Sequence, residues 1–334
     1  MTRNRRIVLS SRPQGNPDET NFRFEDIDIP EPKDGEVLVK ALYVSVDPYM
    51  RSRMNDTKSY VPPFALDEPI EGGLVARVEQ SKHADFKQGD IVSSLGMLKW
   101  QEYQTADSAR LRKVDTDRVP VTAPLGVLGI PGLTAWVGLS ICNPAPGETF
   151  VVSAAAGAVG SVAGQIAKLK GCRVVGTVGS DIKAKYLLDE LGFDAVINYK
   201  TDDLHSALKV ACPDGVDMYF DNVGGDVTNA VVRRLNDFSR IALCGQISQY
   251  NLLPDQLTPA PDWSRLLVHR TLLKGFIVSD YLSQAKEAME DLAEWIAQGK
   301  ITYRDTIIEG FENIPRAFLG LFTGENIGKQ VVKV

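Results

Sequence analysis

Residues 148–178 read ETFVVSAAAGAVGSVAGQIAKLKGCRVVGTV, and this stretch decides the fold class. An apolar run of strand length comes first, then a turn that contains Gly157 and Gly160, then a stretch of helix length and a second apolar run. A strand, a helix and a second strand in this order form a βαβ unit with parallel strands. Gly171 follows the helical stretch, which is where glycine favours the end of a helix.

The turn Ala155-Ala156-Gly157-Ala158-Val159-Gly160 is a GxGxxG fingerprint with alanine in the first place. Gly157 would let the backbone approach a pyrophosphate, and Gly160 would let the helix pack closely on the strand. The N-terminus of the helix adds unpaired N–H donors and a partial positive charge. Ordinary tight βα turns can share so short a motif, but its position in a complete βαβ unit favours dinucleotide binding.

The end of the second strand distinguishes NAD from NADP. An NAD-binding unit places an acidic residue about 20 residues beyond the start of the motif, where it holds the ribose 2′-hydroxyl. Here the strand ends in Val178-Gly179-Ser180, whose small neutral side chains leave room for a 2′-phosphate, and Lys183 follows as a cation that could contact it. NADP(H) is therefore the predicted cofactor. The alternative is that Asp181 serves as the acid and Lys183 is solvated.

Patterning along the 334 residues predicts two domains. Before about residue 120 short strands alternate with turns, whereas apolar runs alternate with helical stretches from residue 148 to about 299. The tail after Gly299 again has strand-like runs. We therefore expect an α/β protein in which residues 1–122 and 300–334 form a β-rich domain and residues 123–299 form a doubly wound Rossmann domain. Prolines break the uncharged stretch between Arg118 and Glu148, which predicts a buried, irregular connection.

Composition limits the partners and the compartment. Lys and Arg number 37 against 43 Asp and Glu, for a net charge of −6, which argues against nucleic acid as a partner. The four cysteines lack the short spacings of a redox or zinc motif, and the N-terminal apolar stretch is too short for a signal peptide. We expect a cytoplasmic protein that does not enter the membrane.

A catalytic zinc is not expected. The chain has only three histidines, His83, His205 and His269, and none has a cysteine or glutamate at a ligand-like spacing. No GxSxG nucleophile motif or phosphate-binding P-loop is present either.

Several segments together resemble the zinc-free branch of the medium-chain dehydrogenase/reductase family, in its prostaglandin reductase group with the bacterial curcumin-reductase-like enone reductases. The resemblance runs nearly end to end, through VSVDPYMR, GIPGLTAWVGL, AAAGAVGSVAGQIAKLKGC, FDNVGG, CGQISQYN and EGFENIPRAFLGLFTGENIGK. It implies that the β-rich domain is a GroES-like catalytic domain and that the chain forms a homodimer. It also implies NADPH-dependent reduction of the C=C bond of α,β-unsaturated ketones and aldehydes.

Carried over by position, the resemblance implies a cofactor set: Gly157, Ala158, Val159, Gly160, Lys183, Tyr199, Asn222, Cys244, Gly245, Gln246, Ile247, Ser248, Tyr250, Phe276, Ile277, Val278 and Asn326. Most of these residues follow apolar strand runs, and ligands of open α/β sheets bind beyond the carboxyl ends of the strands. Without the resemblance, Tyr199 would be a half-buried aromatic residue and Asn222 a turn residue.

The resemblance also implies three substrate-site tyrosines, Tyr49 in DPYMR, Tyr60 in NDTKSYVPPF and Tyr250 in SQYN. A phenol can donate a hydrogen bond to an enone oxygen and could deliver a proton. Without the resemblance, each of these tyrosines could equally be a packing residue or lie at the rim of the site. The segment near His269 departs from the mammalian pattern.

The expected reaction transfers hydride to the carbon β to a carbonyl, while Tyr250, Tyr60 or a cofactor ribose hydroxyl stabilises the charge on the carbonyl oxygen. Two alternatives remain open at this stage. One is a quinone reductase on the same zinc-free scaffold, and the other is a non-catalytic nucleotide-binding or redox-sensing protein.

Overall fold

The computed structural model describes residues 3–334, apart from the side chains of residues 95–97. Two compact units are present: the chain up to Gly129 together with Asp305–Val334, and Ile130–Arg304. The boundaries between the units lie at 129/130 and 304/305, a few residues after the expected boundaries at 122/123 and 299/300. Residues 123–129 stay with the first unit because the buried Leu125 packs there with strand residues. Within the described residues, no helix has both the length and the apolar character needed to cross a membrane.

The N-terminal part of the first unit is mostly β-structure. Its elements are β1 (Asn4–Leu9), β2 (Phe22–Ile27), β3 (Glu36–Ser45), α1 (Met50–Arg53), β4 (Glu71–Ser81), β5 (Ile91–Lys99), β6 (Tyr103–Asp107) and β7 (Arg112–Lys113). β1 and β2 form an antiparallel pair, while β3, β4 and β5 pair antiparallel in a larger sheet. The core beneath them holds stacked Phe22 and Trp100.

The second unit alternates strands with helices. Its elements are α2 (Ile130–Cys142), β8 (Thr149–Val152), α3 (Gly160–Leu169), β9 (Arg173–Val178), α4 (Asp181–Asp189), β10 (Ala195–Asn198), α5 (Leu204–Ala211), β11 (Val216–Asp221), α6 (Gly225–Val232), β12 (Leu235–Leu243), α7 (Ser264–Val268), β13 (Leu272–Gly275) and α8 (Ala285–Ala297). The strands are parallel in the order β10-β9-β8-β11-β12-β13. This order confirms the doubly wound Rossmann sheet, and the winding reverses between β8 and β11.

The irregular connection predicted between Arg118 and Glu148 is found up to Gly129 and after Cys142, but the prediction was wrong for Ile130–Cys142, which form the regular helix α2. Pro131 lies in the first turn of α2, where a missing N–H costs no helical hydrogen bond. Gly138 lies in its interior, where an added Cβ would stand 2.2 Å from the Phe220 ring. The glycine therefore serves close packing of α2 on β11, and this long-range contact outweighs the local tendency of the sequence to break a helix.

The tail completes the sheet of the first unit with β14 (Asp305–Glu309), α9 (Ile314–Thr323) and β15 (Lys329–Lys333). β15 pairs parallel with β14 and antiparallel with β3, which gives the order β14-β15-β3-β4-β5-β7, with β6 also on β3. Both ends of the chain therefore build one β-rich unit.

Candidate active site

The switch point of the Rossmann sheet lies between the carboxyl ends of β8 and β11. Asn222 directly follows β11, and its backbone N–H donates to Ser153 Oγ at 2.8 Å. Its side-chain Nδ2 donates to the carbonyl oxygen of Ser153, also at 2.8 Å. Asn222 therefore ties the ends of the two strands together at the place where open α/β sheets bind their ligands.

The glycine turn after β8 is tightly folded. An added Cβ would stand 2.4 Å from the Ala154 carbonyl oxygen at Gly160 and 3.1 Å from it at Gly157. α3 begins at Gly160 with no side-chain hydrogen bond at its N-cap, Val159. The first amides of a helix lack intrahelical partners, although in α3 the Ser161 N–H donates to the Gly157 carbonyl oxygen at 3.0 Å. The partial positive charge at this end of α3 suits an anion such as a pyrophosphate.

Tyr199 and Lys200 lie against the end of β9 at Gly179, and Lys183 follows that strand end in the first turn of α4. An added Cβ at Gly179 would stand 2.6 Å from the Tyr199 hydroxyl oxygen, so glycine is needed for this ring to lie over the strand end. Burial, and next the charge of Lys200, lower the pKa of the Lys183 ammonium. Two ammonium groups that repel each other at one strand end fit a doubly charged phosphate between them.

Lys200 is a residue that the sequence analysis missed. Its signal was its position directly after Tyr199 at the end of an apolar strand run. Asp181 is the acid that an NAD site would use in the alternative interpretation. In the structure its Oδ1 accepts a hydrogen bond from Asn198 Nδ2 at 2.8 Å. This bond ties α4 to β10, and the arrangement of the strand end therefore favours NADP.

A cavity of about 370 Å³ lies in the second unit beyond the ends of β12 and β13. It is lined by Leu243, Cys244, Gly245, Gln246, Tyr250, Gly275, Phe276, Ile277 and Asp280. Sequence reasoning missed Leu243, Gly275 and Asp280, although the first two end the strands that precede the predicted segments. The predicted Ile247, Ser248 and Val278 are neighbours in the chain but are not among the residues lining this cavity. Ser248 Oγ instead donates to the Val223 carbonyl oxygen at 2.6 Å.

Tyr250 is one of the polar side chains that line the cavity, and its phenol can donate a hydrogen bond to a carbonyl oxygen. Its hydroxyl oxygen accepts a hydrogen bond from the Gln246 backbone N–H at 3.2 Å, so the phenolic proton is available to a ligand. Burial raises the pKa of Tyr250, which keeps the phenol protonated. Burial also raises the pKa of the Cys244 thiol to about 12, so this cysteine is a neutral wall residue and not a thiolate nucleophile.

The other predicted residues lie in the first unit. Tyr49 directly precedes α1 and packs against the core, and burial followed by the charge of Asp47 raises its pKa. Tyr60 is 54% exposed and interacts electrostatically with Tyr49. Asn326 Nδ2 donates to the carbonyl oxygen of Gly328 at 2.8 Å. The structure thus brings Tyr49 and Tyr60 together in one unit, while Tyr250 belongs to the other.

Two families match the chain, one described as "N-terminal domain of oxidoreductase" over residues 5–114 and one described as "Zinc-binding dehydrogenase" over residues 158–298. The NADPH-dependent curcumin reductase of Escherichia coli (strain K12) is 44% identical over 99% of this chain and 97% of its own length. The chain belongs to the zinc-free medium-chain dehydrogenase/reductase family. Prostaglandin reductase 1 of Rattus norvegicus is a second member, 45% identical over 98% of both chains.

A solved structure of the medium-chain dehydrogenase/reductase family shows the same fold. CurA from Vibrio vulnificus in complex with NADPH superimposes with a TM-score of 0.93 at 45% identity, over 99% of both chains. These findings confirm the predicted family and fold class.

Zinc does not fit this member of the family. Across the described part of the chain, no three His, Cys, Asp or Glu side chains group as a set that could hold a metal ion. His269, for example, shares a hydrogen bond at 3.0 Å between its Nδ1 and Asp237 Oδ1, so its ring is already engaged.

We expect the activity to be independent of zinc. Dialysis of the protein against a strong chelator should leave kcat/KM unchanged, because the described residues offer no ligand set for the metal. Elemental analysis of active protein checks this directly. One tightly bound zinc per chain, with activity lost on its removal and restored on its return, would show the expectation to be wrong.

Proposed function

We propose that this protein reduces the C=C bond of α,β-unsaturated ketones and aldehydes with NADPH. NADP(H) is its cofactor, and it is an oxidoreductase of the curcumin and prostaglandin reductase type. The observation that supports C=C reduction is the position of the Tyr250 phenol. It lines the cavity beyond β12 and β13, and its proton is available to a carbonyl oxygen.

The described residues of the second unit fit NADPH. The Gly157–Gly160 turn would hold the pyrophosphate, Asn222 would lie at the switch point, and Lys183, Tyr199 and Lys200 would hold the 2′-phosphate. When bound, NADPH supplies the hydride that reduces the β-carbon of the substrate.

Tyr250 would act on the other end of the conjugated system. Hydride addition at the β-carbon moves negative charge to the carbonyl oxygen, and a phenol that donates a hydrogen bond there stabilises this charge. Leu243, Phe276 and Ile277 give the cavity apolar walls, against which the hydrocarbon part of an enone would pack. Because burial raises the pKa of Tyr250, the phenol acts as a hydrogen-bond donor throughout the neutral range.

Steady-state kinetics with matched enones and quinones test the proposal. We expect kcat/KM to be higher for enones and enals than for quinones of similar size, and saturated alcohols to be inert with NADP⁺. A consistent preference for quinones would indicate a quinone reductase. Tight NADPH binding without turnover of any activated alkene would indicate a nucleotide-binding or sensing protein.

We also propose that the chain forms a homodimer through the edge of the Rossmann sheet. β13 is the last strand of that sheet, and Leu272 on it is 52% exposed. Phe238, Leu267 and Val268 are also exposed, at 67%, 81% and 62%. Exposed apolar side chains and the open edge of a strand therefore occur in the same part of the second unit. Such an edge pairs readily with another strand, and a two-fold axis would place two copies of β13 side by side.

Light scattering on the Leu272→Asp variant tests the dimer. We expect the wild type to have twice the chain mass and the variant to shift toward the monomer, because a charge at the edge opposes pairing. Val210→Asp is the control, since Val210 is 80% exposed on α5, and this variant should remain a dimer. A monomeric wild type would contradict the proposal.

The cysteines support a cytoplasmic location, which we likewise propose. Cys142, Cys172 and Cys212 are buried and Cys244 is half-buried, and none forms a disulfide. Reduced buried thiols are typical of proteins in the cytosol. Fractionation of cells that express the tagged chain checks this location.

A further inference from the structure

Lys329 is a buried cation in the first unit. Only 4% of its side chain is exposed, and lysines are almost never buried without a partner. Its Nζ lies 2.7 Å from Asp47 Oδ1 and 2.8 Å from the carbonyl oxygen of Val46. These two partners directly precede Pro48 and Tyr49, so the lysine holds the backbone that leads into the predicted substrate tyrosine.

The register of the sheet explains why a side chain makes these bonds. β15 and β3 are antiparallel, with Val331 opposite Ser45. Two residues earlier on β15 correspond to two residues later after β3, so Lys329 lies opposite Asp47. Pro48 has no N–H, so the backbone ladder cannot continue through it. The ammonium of Lys329 therefore provides the hydrogen-bond donors for the Val46 carbonyl oxygen and Asp47 Oδ1. Ser45 Oγ donates to the other carboxylate oxygen of Asp47.

Hydrogen bonds continue from this turn into α1. The Met50 N–H donates to the Asp47 carbonyl oxygen at 3.1 Å, and Ser52 Oγ donates to the Tyr49 carbonyl oxygen at 2.7 Å. Tyr49 is therefore held on both sides, through Lys329 and Asp47 before it and through Ser52 after it.

We propose that Lys329 is a positioning residue for Tyr49, because its bonds to Val46 and Asp47 tie the turn before Tyr49 to β15. The effect on turnover rests on the proposed function, with Tyr49 as one of the three substrate-site tyrosines that the family resemblance implies. The tie itself does not depend on any substrate, so it can be tested separately.

Two variants separate positioning from simple stabilisation. Lys329→Met leaves the partly buried Asp47 carboxylate, 20% exposed, without its cation, which lowers the melting temperature as well as removing the two hydrogen bonds. The double variant Lys329→Met with Asp47→Asn removes both charges of the pair and keeps the side-chain sizes, so its melting temperature should recover part of the way to the wild type. The recovery is partial because the charge of Lys329 also acts on Asp305, which keeps its carboxyl group. Lys333→Met is the control, since Lys333 lies on the same strand in an exposed pair with Glu309.

For the double variant we expect kcat for an enone to fall about tenfold while the KM for NADPH stays within about twofold, because a small misplacement of one group slows the chemical step without affecting the cofactor. Hydrogen exchange followed by mass spectrometry should show faster exchange of the amides of residues 50–54 and unchanged exchange in residues 130–304. Lys333→Met should match the wild type in all these measurements.

The proposal is overturned if the double variant regains wild-type kcat, since Lys329 would then serve charge balance alone. It is also overturned if exchange in residues 50–54 stays at the wild-type rate. If the wild type reduces no enone, the proposed function fails, and the exchange measurement still decides whether Lys329 holds the turn.

Discussion

Replacement of Tyr250 with phenylalanine should lower kcat/KM for an enone by about a hundredfold, the lower end of the range for general acid and base groups. The phenol lines the cavity, and its proton is available because its oxygen accepts a hydrogen bond from Gln246. The variant loses the donor that meets the negative charge on the carbonyl oxygen. NADPH affinity, measured by fluorescence titration, should change little.

Tyr281→Phe is the matched control for this prediction. Tyr281 lies in the same unit, where its ring packs against Phe276 with a centroid distance of 6.3 Å, but it does not line the cavity. Its kcat/KM should stay within about twofold of the wild type. If Tyr250→Phe also stays within that range, we expect the donor to be Tyr49 or Tyr60. Phenylalanine at all three positions without effect would leave a ribose hydroxyl or water as the donor.

NADPH binding should weaken roughly ten- to a hundredfold when Lys183 is replaced with alanine, because a hydrogen bond to a charged group contributes about 1.5 to 3 kcal/mol. NADH binding should barely change, since NADH has no 2′-phosphate. The lowered pKa of Lys183 adds a pH dependence, because the ammonium is lost at a lower pH than for an ordinary lysine. NADPH affinity should therefore decrease as the pH rises toward the alkaline range.

Lys185→Ala serves as the control for Lys183→Ala, because Lys185 is an exposed lysine two positions further along α4. Calorimetric titration of both cofactors into the wild type and the two variants decides the matter. An equal loss of NADH and NADPH affinity in Lys183→Ala would assign Lys183 to folding or to the shared pyrophosphate. A wild-type preference for NADH would contradict the 2′-phosphate site.

Local signals predicted the Rossmann elements well. Gly171 and Gly192 have φ of +82° and +68°, as expected for glycines that follow the ends of α3 and α4. The glycine turn and the small residues at the end of β9 also sufficed to predict NADP(H) as the cofactor. These features depend on residues that are neighbours in the chain, so the sequence displays them directly.

Features that depend on distant partners could not be read in the same way. α2 forms in spite of its proline and glycines because Gly138 packs on Phe220 of a different element. Lys329 meets Asp47 across 282 positions of the chain, and neither residue is unusual by itself. Lys200 gained meaning only when the structure placed its charge beside Lys183.

Reduction of an enone with NADPH that carries deuterium at the transferred position of the nicotinamide distinguishes C=C from C=O reduction. We expect a saturated ketone as the product, with the deuterium on the carbon β to the carbonyl, as read by NMR and mass spectrometry. Deuterium on the carbonyl carbon of an allylic alcohol would mean that the protein reduces the C=O bond, which would contradict the proposed function.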